Sequence, residues 1–231
     1  MRIETHEQIL IWIFTAPIHP ERNRYNFSPV DEIVNFAETN DMAVHGHTLC
    51  WHNQNPSWLT NGNFARDEMI DILRDHIHTV AGRYAGRIAV WDVVNEAVEG
   101  SGLRNTIWKN TIGPEYIDMA FQFAHEADPN ARLIYNDYGA EEINTKFTTI
   151  YNLVRDLQSR QIPIHGVGFQ MHIWAGGINY ASFADNMRRF AELGLAIYVT
   201  EMDVRIQEPV TDEDLAKQAN LTKSIWSWIG V

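Results

Sequence analysis

The chain has 231 residues, 45% hydrophobic and 21% charged, which suits one globular domain with a large core. A formal charge of −12 leaves no basic face to neutralise phosphates and argues against a nucleic-acid partner. The single cysteine, Cys50, rules out an internal disulfide; between Leu49 and Trp51 it reads as core rather than as a nucleophile.

Residues 1–7 lack the apolar stretch of a signal peptide, and the apolar run over 9–14 is too short to span a bilayer, so no membrane partner is expected. Residues 3–14 read as a short strand then a loop, and Pro17, Pro20 and the charged cluster over 21–24 as an irregular connection. Ser28 then caps a helix with Pro29 in its first turn, Asp31 at its positive end, and Ile33, Val34, Phe36 and Ala37 as the buried stripe. A strand over 43–49 leads into a polar-aromatic loop over 51–58, and a helix over 66–84 carries Ile70, Leu73, Ile77 and Val80 at helical spacing. Strands over 88–94, 132–135, 165–169 and 195–200 then alternate with helices over 114–127, 143–160, 181–193 and 212–225.

Strands alternating with long helices imply a parallel α/β sheet. The longest non-helical stretches follow Leu49 and Val94, after strands rather than before them, as in a (β/α)8 barrel whose working face lies at the strand ends. A doubly wound sheet would want a Gly-rich phosphate turn after an early strand, and the sequence has none. No linker-like boundary interrupts residues 1–231, which read as a single catalytic domain.

Two of these strands end in a glutamate: Glu96 closes the run over 88–96 and Glu201 the run over 195–201. Either one alone would pass as an ion-pair partner or a helix cap. The matched pair, in polar and aromatic company, fits glycoside hydrolysis, which needs a protonated acid for the leaving oxygen and a carboxylate for the anomeric carbon. Asn95 can reach a sugar hydroxyl beside the scissile bond. Asp203, two residues past Glu201, shares its face if the backbone stays extended, and an Asp203–His172–Glu201 chain would orient the nucleophile. Gln170 has the parity of His172. His47 and Trp51 offer a donor and a wall, with Trp51 equally at home in the core. Among the other tryptophans, Trp91 reads as core, and Trp58 and Trp174 as stacking surfaces. Asn136 and Asp137 can simply turn the chain before Tyr138. The competing reading is a metal-dependent hydrolase built on His45 and His47, two apart on one strand face, but further ligands do not assemble around them.

The segments Gly46–His52, Trp91–Glu96, Tyr135–Tyr138, Gly166–His172 and Thr200–Asp203 resemble, in order, the motifs of glycoside hydrolase family 10, mostly endo-β-1,4-xylanases. The resemblance implies a (β/α)8 barrel and a retaining mechanism with Glu96 as acid/base and Glu201 as nucleophile, their carboxyl groups roughly 5–5.5 Å apart. It implies that His47, Trp51, Asn95, Gln170 and His172 line the subsite of the attacked sugar, and that Asn136 and Tyr138 lie towards the leaving group. Xylan or xylo-oligosaccharide is then the substrate, with no cofactor or metal, and the family suggests a secreted protein.

Departures accompany the matches. In the family's early Thr-Pro-Glu-Asn-x-x-Lys-Trp run, Glu7 matches, Gln8 replaces Asn and Ile11 replaces a sugar-binding Lys, so the resemblance implies that Glu7 and Gln8 bind substrate without that cation. Only strands two to seven of the barrel are recognisable. The barrel therefore reads as incomplete, with terminal segments recruited as surrogate strands or with a homodimer closing the gap. The lack of the family's final-strand Trp-Gly…Ser-Trp segment, which roofs the site, together with Ile11 keeps one non-catalytic alternative, a xylo-oligosaccharide-binding or inhibitor-like barrel that does not cleave.

Overall fold

The computed structural model describes residues 8–12 and 15–229. In chain order the first elements are β1 (Gln8–Trp12), α1 (Thr15–Ile18), α2 (Ser28–Thr39), β2 (Ala43–Cys50), α3 (Ser57–Thr60) and α4 (Arg66–Arg83). Next come β3 (Val90–Asn95), the strands β4 (Val98–Glu99) and β5 (Gly102–Leu103), α5 (Ile107–Ile112), α6 (Tyr116–Ala127) and β6 (Arg132–Asp137). The chain continues through α7 (Thr145–Ser159), β7 (Gly166–Phe169), β8 (His172–Trp174), α8 (Tyr180–Glu192), β9 (Ala196–Val199), β10 (Asp203–Arg205) and α9 (Asp212–Ile229).

Six strands form one parallel sheet in the order β1-β2-β3-β6-β7-β9. Each strand pairs with the next long strand of the chain and the order never reverses. That is the winding of a (β/α) barrel and not of a doubly wound sheet, whose order turns back at a switch point. The C-terminal ends of all six strands therefore face one way. Among the described residues β1 and β9 are the outer strands. The helix expected over 212–225 forms as α9 and runs on to Ile229.

Two local expectations at α2 are corrected. Ser28 is the first helical residue rather than the cap, which falls on Phe27 with no side-chain bond. Asp31 is held instead by Arg83, from Nε at 3.0 Å and Nη2 at 2.5 Å, and by the Tyr84 hydroxyl at 2.9 Å. The buried stripe is Val30, Val34 and Ala37, while Ile33 and Phe36 are exposed. Later helices are capped by side chains: Thr106 accepts from the Lys109 N–H, Asn144 from Phe147 and Asn179 from Ser182. The β4–β5 hairpin, the short helix α5 and the β8–β10 pair lie in stretches too short to show a period.

The core between sheet and helices is continuous and includes Trp91, Tyr135, Phe121, Phe147, Phe169 and Phe190. Trp91 and Trp108 belong to it. Trp58 is tied into the fold by its indole N–H, which donates to the His19 carbonyl at 3.0 Å, and by an edge contact with Phe64. Trp174 stays exposed. Glu7 lies outside the described residues. Gln8 opens β1 opposite Ala43, and Ile11 lies opposite Gly46.

Gly46 pairs with Trp91 across β2 and β3, where a β-carbon would meet the indole ring at 2.4 Å. Gly46→Ala overpacks this contact and should destabilise the fold by about 1–3 kcal/mol. A lowered urea midpoint at unchanged slope is the expected reading; an unchanged midpoint would show that the indole simply gives way.

Candidate active site

At the C-terminal ends of β3, β6, β7 and β9 the chain delivers Asn95 and Glu96, Asn136, Gln170 and Glu201 to one place. Glu96 follows directly after β3; its N–H still donates to the Asn136 carbonyl at 2.9 Å, but its φ is +54°. A left-handed non-glycine residue costs free energy and is held only where its surroundings demand it. Here it turns the glutamate out of the strand at the point where the ladder ends.

The two carboxylates are joined by amides. Gln170 donates from Nε2 to Glu96 Oε1 and Asn95 Oδ1, each at 3.1 Å. Asn136 donates from Nδ2 to Asn95 Oδ1 at 3.1 Å and to Glu201 Oε1 at 2.8 Å. The Thr200 hydroxyl donates to Asn136 Oδ1 at 2.8 Å, which fixes that amide's orientation. Asn95 suits its neighbours better turned over, when its oxygen takes the Trp51 indole N–H at 3.1 Å and its nitrogen donates to the Asn136 carbonyl at 3.1 Å; the bonds from Gln170 and Asn136 to Asn95 Oδ1 belong to the other orientation. Gly168 leaves room for this arrangement, since a β-carbon there would stand 2.3 Å from Asn136 Oδ1.

Glu201 is also met by histidines. His172 Nε2 lies 3.3 Å from Glu201 Oε2, while its Nδ1 is 2.7 Å from Asp203 Oδ2, giving the Asp203–His172–Glu201 chain expected from the sequence. His172 and Asp203 are paired across β8 and β10, so register sets this contact. His47 Nδ1 is 3.8 Å from Glu201 Oε1 and 2.6 Å from Asp92 Oδ2. Burial lowers the His47 pKa, but the Asp92 hydrogen bond and the charges of Asp92, Glu201 and Glu96 outweigh it and raise it. One imidazole thus feels both glutamates. Trp51 packs edge-on against His47 and His52, as a wall of the same space.

Asn136 was expected towards the leaving group. It is fully buried, and its amide is spent inside the protein, so it positions Glu201 rather than reaching for a sugar. Tyr138 does stand on the rim, its ring covered by Lys146 Nζ at 3.3 Å and its hydroxyl accepting from Arg104 at 2.9 Å. Arg104 also donates to the Glu96 carbonyl at 3.1 Å, linking rim and acid.

Several contributors had no role in the sequence reading. Asp92 is wholly buried between His45 Nε2 at 2.8 Å and His47 Nδ1 at 2.6 Å; burial pushes its carboxyl up, but the two imidazoles hold it down at about 2. The His-x-His pair is therefore the answer to a buried aspartate, and both nitrogens that face it are occupied. Among the described residues no group of three or more His, Cys, Asp or Glu is arranged to hold a metal. His52 places Nδ1 at 3.8 Å from Glu96 Oε2, and burial and Arg104 lower its pKa against the pull of Glu96. A charge in the middle of an apolar strand was the available signal for Asp92, and the end of the Gly46–His52 motif the signal for His52; Arg104 and Lys146 gave none.

A parallel barrel sheet with two strand-end glutamates, held over one cleft by amides and imidazoles, is the architecture of a glycoside hydrolase. The model of glycosyl hydrolase family 10 matches residues 13–229, and the chain belongs to that family. It is 59% identical over 187 residues to endo-1,4-beta-xylanase B of Thermotoga neapolitana, a match covering 80% of this chain and 54% of that one. The beta-1,4-xylanase of Dictyoglomus thermophilum is 45% identical over 82% of this chain and 54% of its own. The chain thus spans about half the length of these relatives. The crystal structure of xylanase 10B from Thermotoga maritima superposes with a TM-score of 0.92 at 51% identity, covering 94% of this chain and 69% of that one. Xylanase 10B from Thermotoga petrophila, solved with xylobiose, gives 0.92 at 49% identity, covering 94% and 68%.

The paired pKa directions fix a pH test. Asp92 is depressed below its ordinary 3.8, so its contribution to stability is complete above that value and fades as pH falls towards about 2. His47 is raised above 6.5, so its contribution is complete below that value and fades as pH climbs through the raised pKa. Asp92→Asn should lower the His47 titration midpoint seen by imidazole NMR and cost on the order of 3 kcal/mol, the cost of breaking a buried pair. An unmoved midpoint would mean that Asp92 does not charge this ring.

Proposed function

We propose that this chain carries the catalytic centre of a retaining endo-β-1,4-xylanase. The observation that carries the reading is that Gln170 donates to Glu96 and Asn136 to Glu201 while both amides meet beside Asn95, which brings two carboxylates from separate strands to one place. Relatives named xylanases, one of them solved with xylobiose, supply the substrate class.

In this reading Glu201 attacks the anomeric carbon while Glu96 protonates the departing sugar oxygen, leaving a glycosyl ester on Glu201. Glu96, now a carboxylate, takes a proton from water, which attacks the same carbon and releases the second product with its configuration retained. Asn136 and His172 hold the Glu201 oxygens so that one lone pair faces the sugar, with Asp203 fixing the ring of His172 from behind. Gln170 and Asn95 keep Glu96 on the opposite side of the bond. His47 and Trp51 shape the pocket of the attacked sugar, and Tyr138 stands beside the leaving group.

Incubation of the purified chain with β-1,4-xylan should release short xylo-oligosaccharides, separable by chromatography, and chelator should not suppress them. Glu201→Ala is expected to abolish release. Glu96→Gln should slow hydrolysis of xylan by ~100-fold or more, yet spare formation of the glycosyl-enzyme from aryl xylosides, whose leaving group needs no proton. Tight binding of xylo-oligosaccharide without turnover would instead establish the non-catalytic barrel.

A further inference from the structure

One buried carboxylate near the site has no part in the reaction just described. Glu141, in the segment after β6, is 6% exposed. Its Oε1 accepts the N–H of Met171 at 3.1 Å. Burial raises its pKa, opposed by its hydrogen bonds and by Lys146 and His172 nearby. A buried acid is costly to keep, so its partner is informative.

Met171 is that partner, and it is the pivot of the site. The sheet ladder ends where the Gln170 N–H donates to the Asp137 carbonyl at 3.0 Å. Met171 then takes φ +59°, a left-handed conformation on a wholly buried side chain. From there the chain leaves the barrel sheet for β8, and the Met171 carbonyl accepts from the Asp203 N–H at 3.2 Å. The residue before the pivot reaches Glu96 and the residue after it reaches Glu201. Glu141 is itself fixed, because the buried Asn186 of α8 donates to both the Ala140 and Glu141 carbonyls at 3.1 Å.

We propose that Glu141 is a positioning residue: by accepting the Met171 N–H it holds the left-handed turn that aims Gln170 at Glu96 and His172 at Glu201. The inference deepens the xylanase reading and rests on it only for its kinetic consequence. The alternative is that Glu141 merely satisfies a buried N–H and matters for stability alone.

The two separate in Glu141→Gln, which keeps an oxygen for the Met171 N–H, and Glu141→Ala, which does not. In the Gln variant, Met171 amide exchange and the His172 imidazole resonances should match the parent chain, and kcat on xylo-oligosaccharide should stay within about threefold. In the Ala variant the Met171 amide should lose protection, the His172 resonances should move, and kcat should fall by ~10–100-fold with KM little changed. A folded Ala variant with parental His172 resonances and kcat would overturn the proposal. Should the Ala variant not fold, the Gln variant decides: displaced His172 resonances in a folded protein refute the role, and parental ones support it. If the parent chain itself turns over no xylan, the function assignment fails while the NMR comparison still judges Glu141.

Discussion

The amide of Asn136 is the contact on which the site depends. Its two protons go to Asn95 and Glu201, and its oxygen takes the Thr200 hydroxyl, so none is left for solvent or substrate. A charged carboxylate next to a fully buried side chain is tolerable only if its hydrogen bonds are supplied by the protein. Asn136 supplies one for Glu201 and, through Asn95 and Gln170, couples its position to that of Glu96. The relative placement of the two acids is thus set at the ends of four neighbouring strands rather than by distant loops. Gly168 leaves the space that this amide occupies.

A second layer works beneath this one. Asp92 collects His45 and His47 from the neighbouring strand, and the charge of Asp92 raises the affinity of His47 for a proton. On the other side of Glu201, Asp203 Oδ2 meets His172 Nδ1 at 2.7 Å. Glu201 is flanked by two imidazoles, each backed by its own aspartate. This is the familiar logic of an outer carboxylate fixing the orientation and tautomer of a histidine.

Much of the fold could be read from the sequence because the long helices carry apolar residues at helical spacing and the strands between them are apolar runs. The glutamate pair was legible for a related reason: each ends an apolar strand, where a buried-to-polar change is abrupt. What escaped detection depends on distant packing. Ser28 looks like a cap, but the helix already begins there, with Phe27 at the cap position, and Asp31 is bonded to Arg83 and Tyr84, more than fifty residues away. Asn136 looks like a ligand-facing or turn residue; only the neighbouring strands show that its amide is already spent. Asp92 was hidden between hydrophobic neighbours, and the His-x-His pattern that answers it resembled a metal site until the two strands were seen side by side. Arg104 and Lys146 sit in stretches without periodicity, so nothing local distinguishes them from solvated surface charge.

The backbone of Glu96 has a bearing on how this acid can be interrogated. Its φ of +54° lies in the region that glycine, asparagine and aspartate enter with least strain and that branched side chains resist. Replacing it therefore alters two things together, the carboxyl group and the chirality-dependent ease of the bend it occupies. Valine or isoleucine at this position would report mostly on main-chain distortion, and a loss of function there could be mistaken for loss of the acid. The cleanest comparator is an isosteric amide, which leaves the bend as it is and removes only the ionisable carboxyl.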